Sequence, residues 1–193
     1  MDISWSIASL NGPIPRQPNR EDKCTGNFWE DRFKSQVLLD EAALLSCMAY
    51  VDLNPSLAGI ALTPEQSVFT SIQLRIQAAI KGEQPSILLP FIGNEHQHKP
   101  TGIHFSLQVY LTLVDETGRI LRDDKRGAIS SKAIKILARL HINDESWLKF
   151  TTGFEPIFTG AVGTAKHLCE FSEHISLQRV HGIANAHVCL NSA

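Results

Sequence analysis

The chain offers little from which to build a disulfide or zinc framework. Its four cysteines, Cys24, Cys47, Cys169 and Cys189, are far apart and form no C-x-x-C pair. Neither a cross-linked scaffold nor a zinc site is expected, and a reducing cytosolic setting fits. No apolar run is long enough to span a bilayer, and Met1-Asp2 opens without a basic n-region, so neither a membrane partner nor a secretory address is expected. Positive charge is not in excess either: 18 Lys and Arg against 20 Asp and Glu leave a formal net charge of −2. Any contact with nucleic acid must then be a local patch, since a dedicated binder usually shows its partner in its net charge. Internal repeats and low-complexity segments are missing as well. What is there is ordinary globular composition: 193 residues, 43% hydrophobic and 20% charged, enough for one domain or two small ones.

Helix punctuation recurs along the chain. Ile3, Ile7 and Leu10 suggest a short amphipathic helix that must end before Pro13. From Gly12 to Asn27, Pro13, Pro15 and Pro18 forbid regular helix and predict an extended connector carrying Arg16, Arg20 and Lys23. Phe28 to Leu38 reads as a strand, with charges interleaved among its aromatics. Asp40 is an N-cap for an almost wholly apolar helix from Glu41, which Pro55 should stop near Asn54. Thr63-Pro64-Glu65-Gln66 looks like the start of another helix, with Val68, Ile72, Ile76 and Ile80 on one face and Gly82 as its stop. Residues 83–102, rich in Pro and Gly, are taken as a linker between domains. Beyond it, helices are expected from Ser106 to about Glu116, from Ser130 or Ser131 to Leu140, from Asn143 through Trp147, and from Thr164 to about His174. The tail from Ser176 is weakly patterned.

Few places can carry chemistry. Tyr50 lies near the end of the apolar helix, and Asn54 follows four residues on, so a continuous helix puts both on one face. A tyrosine there could present its hydroxyl as a nucleophile, but with a pKa of about 10 it needs a metal-polarised phosphate or a base. Periodicity alone favours the alternative, a core tyrosine with a satisfied hydroxyl. His96-Gln97-His98 is the sole His-x-His, and its polar neighbours Asn94, Glu95, Lys99 and Pro100 favour a loop with incidental histidines over a metal site. Two basic groups could meet phosphates. Arg16, Arg20, Lys23, Arg32 and Lys34 are interleaved with Phe28, Trp29 and Phe33, a mixture suited to single-stranded nucleic acid, where bases stack and the backbone is neutralised. Arg119, Arg122, Lys125 and Arg126 are largely cancelled by Asp123 and Asp124 and read as a solvated face.

The most specific stretch runs from Phe28 to Gly59. Phe28-Trp29-Glu30, Arg32-Phe33-Lys34-Ser35-Gln36 and Leu38-Leu39-Asp40-Glu41-Ala42-Ala43-Leu44-Leu45 are followed by Met48-Ala49-Tyr50-Val51-Asp52-Leu53-Asn54-Pro55 and then Ala58-Gly59. This block resembles the end of the IS200-like, single-tyrosine (Y1) transposase domain, in the branch akin to the transposases associated with repetitive extragenic palindromes. The likeness reaches back to Asp2-Ile3-Ser4-Trp5 and Asn19-Arg20-Glu21-Asp22, and more loosely forward to Thr117-Gly118-Arg119 and Asp123 to Ile129.

The resemblance implies a family that cuts and rejoins single-stranded DNA at hairpin-marked ends. In it a His-hydrophobe-His motif holds a divalent ion, Mg or Mn, and a helix tyrosine attacks the scissile phosphate to leave a 5′-phosphotyrosine link. Tyr50 falls on the nucleophile position, before the Asn54-Pro55 pair. Arg16, Arg20, Lys23, Trp29, Arg32, Lys34 and Asn54 become the expected DNA contacts. The expected partner is single-stranded or hairpin DNA in a bacterial, nucleoid-associated setting, with a homodimer allowed.

Departures from the pattern argue against catalysis. The family's histidine motif precedes the matched block, and this chain starts at Met1 without it. A truncated protein, inactive alone and needing no metal, is therefore expected. Ser56-Leu57 replaces a hydrophobe and arginine common after Asn-Pro, and Asp31 stands where glycine is common, so both changes weaken DNA contacts. The expected fold is mainly α: the remnant of an α+β Y1 domain over 1–82, a linker over 83–102, a helical region over 103–175 and a weakly ordered tail over 176–193. Two other readings stay open: a working enzyme whose start lies further upstream, and a helical interaction or regulatory module without catalysis.

Overall fold

The computed structural model describes residues 17, 19–23, 25, 35–93, 101–121, 130–154, 156–158, 160–176, 179 and 181–190. The chain divides into two compact units, Met1–Ser35 and Gln36–Ala193. In the first, contrary to the extended connector expected from Gly12 to Asn27, Gln17, Asn19, Arg20 and Glu21 are helical, with Gln17 Nε2 donating to Glu21 Oε1 at 3.0 Å. Prolines are tolerated in a helix's first turn, where the missing amide would have no partner. The expected helix at Ile3–Leu10 and most of the expected strand Phe28–Leu38 lie outside the described residues.

The second unit is mainly α. It runs β1 (Val37–Leu38), α1 (Glu41–Leu57), a 3-10 turn (Pro64–Gln66), α2 (Ser71–Ile80), α3 (Leu107–Ile120), α4 (Ser131–Arg139), α5 (Asp144–Thr152), β2 (Ala161–Val162), α6 (Ala165–His174) and α7 (Ile183–Cys189). Strands β1 and β2 pair in parallel, Val37 opposite Ala161 and Leu38 opposite Val162.

Helix α1 is the axis of the core. Asp40 caps it, accepting from the Ala43 amide at 2.8 Å, and its alanines and leucines are strong helix formers. Ala42, Leu45, Ala49 and Leu53 are buried, and α1 packs chiefly on α5 and then on α3. Contrary to the expected stop near Asn54, the helix continues through Pro55 to Leu57. Proline removes the amide that would bond the Val51 carbonyl. Val51 is 55% exposed, so water can take that place, while the Asn54 carbonyl still receives the Ala58 amide at 2.8 Å.

The helix expected from Thr63 divides in two. Pro64–Gln66 forms a single 3-10 turn, Phe69 takes a left-handed φ of 64°, and α2 starts at Ser71 with Thr70 as its cap. Ile72 and Ile76 face the core as expected, whereas Val68 and Ile80 stand exposed outside that face. Gly82 (φ 74°) ends the run where a left-handed residue is needed. The described part of 83–102 folds into this second unit. The Gln84 side chain donates to the Phe91 carbonyl at 2.9 Å and accepts from the Phe91 amide at 2.8 Å, and Phe91 pairs with Ile103 as an isolated parallel bridge.

Around α1 the aromatic core is assembled from α3, α5 and the segment after it. Tyr110, Trp147, Phe150 and Phe154 are among the largest fully buried side chains. Trp147 Nε1 donates to Thr117 Oγ1 at 2.8 Å, so the indole is buried without an orphan donor. Helix α3 runs past Gly118 to Ile120, further than expected, because Gly118 lies against α1: an added Cβ would stand 3.2 Å from the Leu53 side chain. The tail also forms helix. Gly182 in the left-handed conformation opens α7, whose Ala186 and Cys189, with Leu190, are buried. Small side chains such as these give a weak apolar signal.

Candidate functional site

Tyr50 and Asn54 do occupy successive turns of α1. The Tyr50 ring is half-buried and stacks on Phe154, centroids 6.2 Å apart at 26°. Phe154 in turn meets Phe150 at 5.9 Å, and Phe150 meets Phe158 at 6.0 Å. Tyr50 thus forms the outer end of an aromatic row, with its ring packed against the core and part of its surface in water. Asn54 is exposed beside it. Among the described residues no base is hydrogen-bonded to the Tyr50 hydroxyl.

The expected DNA contacts divide by where they lie. Arg20 and Lys23 are exposed, Lys23 with a left-handed φ of 52°. Arg16, Trp29, Arg32 and Lys34 lie outside the described residues, as do His96 and His98. Among the described residues no group of three or more His, Cys, Asp or Glu side chains could hold a metal ion.

Two polar clusters were not legible as sites. In the first, Asp52 of α1, 2% exposed, accepts from Tyr110 Oη at 2.5 Å and from Ser71 Oγ at 2.9 Å. Arg75, one turn after Ser71, is 4% exposed and donates through both Nη atoms to the Leu89 carbonyl at 3.2 Å, its guanidinium 4.8 Å above the Phe91 ring. Burial pushes the Asp52 carboxyl above its ordinary value, against the opposing pull of Tyr110, Ser71 and the Arg75 charge. Burial also lowers Arg75, and burial with the adjoining carboxylate lifts Tyr110 well above the ordinary phenol value. One signal was in the sequence: Asp52 falls three residues after Ala49 and seven after Leu45, on the buried stripe of α1, where a lone acid requires partners. Its partners lie 19 and 58 residues away and carry no local signal.

In the second cluster Asp40 serves two helices. Besides capping α1, its Oδ2 accepts from the Thr164 amide at 2.7 Å and lies 3.1 Å from His167 Nδ1. Thr164 Oγ1 is 2.9 Å from the same nitrogen. Thr164 was expected to cap α6; its side chain bonds His167 instead of a first-turn amide.

No family model, no characterised protein and no solved structure matches the chain. Among the described residues no helix is long and apolar enough to cross a membrane.

Proposed function

We propose that the chain is a DNA-binding protein related to the single-tyrosine transposases, which binds single-stranded or hairpin DNA without itself cutting and rejoining it. The observation that carries this reading is the Phe28–Gly59 block together with the setting of its last helix, where Tyr50 and exposed Asn54 share one end of α1. Arg20 and Lys23 supply exposed charge on the N-terminal side of that block. Among the described residues no base is hydrogen-bonded to Tyr50 and no side-chain group could hold a metal ion, so no strand-cleavage step is assigned to them. The setting consistent with this function is the bacterial nucleoid.

Fluorescence anisotropy with a hairpin-bearing single-stranded oligonucleotide tests the proposal. Binding should weaken linearly in log–log form as salt rises, with slope about −0.7 per phosphate neutralised on a single strand. Joint replacement of Arg20, Lys23, Arg32 and Lys34 by Ala should flatten that slope by about 3, for four lost phosphate contacts. Incubation with Mg or Mn should yield no covalent protein–DNA adduct. Salt-independent or undetectable binding would reject the reading, and a Tyr50-dependent adduct would restore catalysis.

One observation favours a second reading, a helical interaction module. Ile60, Leu62 and Val68 are exposed, and Phe69 is 99% exposed on a left-handed turn. Of these, Leu62 lines a cleft together with Pro64, Glu65, Asp115 and Arg119. Exposed apolar side chains of this size suit a protein partner. Cellular function unaffected by Arg32→Ala and Lys34→Ala, yet lost with Phe69→Ser, would favour this reading.

A further inference from the structure

The loop between α2 and α3 is held from the core by a buried charge. The two hydrogen bonds between Gln84 and Phe91 close residues 84–91 into a ring. Arg75 grips this ring through the Leu89 carbonyl and the Phe91 face, while its Nε is buried without a partner. A guanidinium so far out of water, facing one neutral carbonyl and one aromatic ring, persists only with an opposite charge nearby. Asp52 supplies that charge without a direct ion pair: its Oδ1 accepts from Ser71 at 2.9 Å, and Ser71 lies one turn before Arg75 on α2. The groups facing Asp52 are Tyr110 from α3, and Ser71 and Arg75 from α2; Cys47 on its own helix adds to the field at Tyr110.

We propose that Asp52 is a proton-sensitive latch for the 84–91 loop. With the carboxylate ionised, Arg75 stays in the core and holds Leu89 and Phe91. With the carboxyl protonated, Arg75 loses its counter-charge, turns out to water, and the loop opens. Burial already raises Asp52 above its ordinary value, which moves this event up from the strongly acid range. The hydrogen bonds from Tyr110 and Ser71 favour the ionised form and oppose that rise. Removing either donor therefore moves the opening to higher pH.

The test is hydrogen exchange on the full chain as a function of pH, corrected for the pH dependence of the chemical exchange step. The reporters are the amides of Phe91, Ile92 and Gly93, bonded to Gln84, Ile103 and Phe105 respectively. On acidification their protection should fall on the order of a hundredfold, as expected when a buried charge loses its partner. The Trp147 amide in α5 should stay protected, separating loop opening from global unfolding. Asp52→Asn should leave the loop open at neutral pH, and Tyr110→Phe should move the transition to higher pH. Protection independent of pH in the parent chain, or full protection in Asp52→Asn at neutral pH, overturns the proposal. Should Asp52→Asn fail to fold, Tyr110→Phe decides: an unmoved transition, or one moved to lower pH, overturns it equally.

Discussion

Tyr110 shows how much of this core depends on single polar atoms. Its hydroxyl donates to a carboxylate that is 2% exposed, so Tyr110→Phe removes a donor while keeping the ring. Leaving that acceptor underbonded should cost about 1–3 kcal/mol, read as a lower urea midpoint with unchanged m-value. The same residue fixes a pH limit. The folded state holds the Tyr110 proton to a higher pH than the unfolded chain does. Its contribution to stability is complete below the ordinary phenol value of about 10 and is lost as pH rises toward the folded value. In an alkaline titration, one phase of tyrosinate absorbance should therefore appear only as helical circular dichroism collapses. Tyr110→Phe should abolish that phase; its persistence in the variant would refute the assignment.

At the scale of elements, what is legible depends on how local the determining contacts are. The caps at Asp40, Ser130 and Asn143 were readable because each accepts an amide three residues on: 2.8 Å at Ala43, 3.2 Å at Ala133 and 2.7 Å at Ser146. The end of α1 was not, because whether a helix tolerates Pro55 depends in part on the orphaned carbonyl reaching water, and exposure around Val51 is a tertiary property. The split at Phe69 was hidden for a related reason: Val68 and Ile80 continue the four-residue rhythm without reaching the core. Of the site, the placement of Tyr50 and Asn54 on one face followed from helical spacing, whereas the Asp52 partners come from two other helices.

Asp40 carries the strongest element-scale prediction. Its two oxygens serve the first amide turn of α1 and the Thr164 amide just before α6, and they sit where β1 joins β2. Asp40→Ala removes both bonds and should cost about 2 kcal/mol, the upper end for a cap, since the second amide is orphaned as well. Gly163→Ala should damage the same junction from the other side, because its Cβ would lie 2.9 Å from the Leu39 Cβ and 3.1 Å from Asp40 Oδ2. If the two substitutions act on one junction, their effects on thermal unfolding will be less than additive; full additivity would separate them.

For the whole molecule, the central question is whether α1 has a core of its own. A helix that belongs on the face of a larger sheet leaves its apolar stripe bare once that sheet is missing. Here Leu45 and Leu53 are buried, and the stripe is covered by α5 and α3. Val51 is the apolar residue of α1 left most exposed. The helices that cover the stripe come from far along the sequence, and Tyr110, Trp147 and Phe150 share one core cluster with Leu45 and Leu53, so this helical region supplies the packing surface. It follows that residues 36–193 should fold cooperatively without 1–35, as their separate compactness suggests. Such a fragment keeps Trp147 as its sole tryptophan, since Trp5 and Trp29 lie in the removed part. Trp147 emission should be shifted to the blue, as its burial requires. Its loss in urea should coincide with the loss of far-ultraviolet circular dichroism, as for a two-state domain. Transitions that separate, or an indole already in water before denaturant is added, would mean that the core needs the first 35 residues to close.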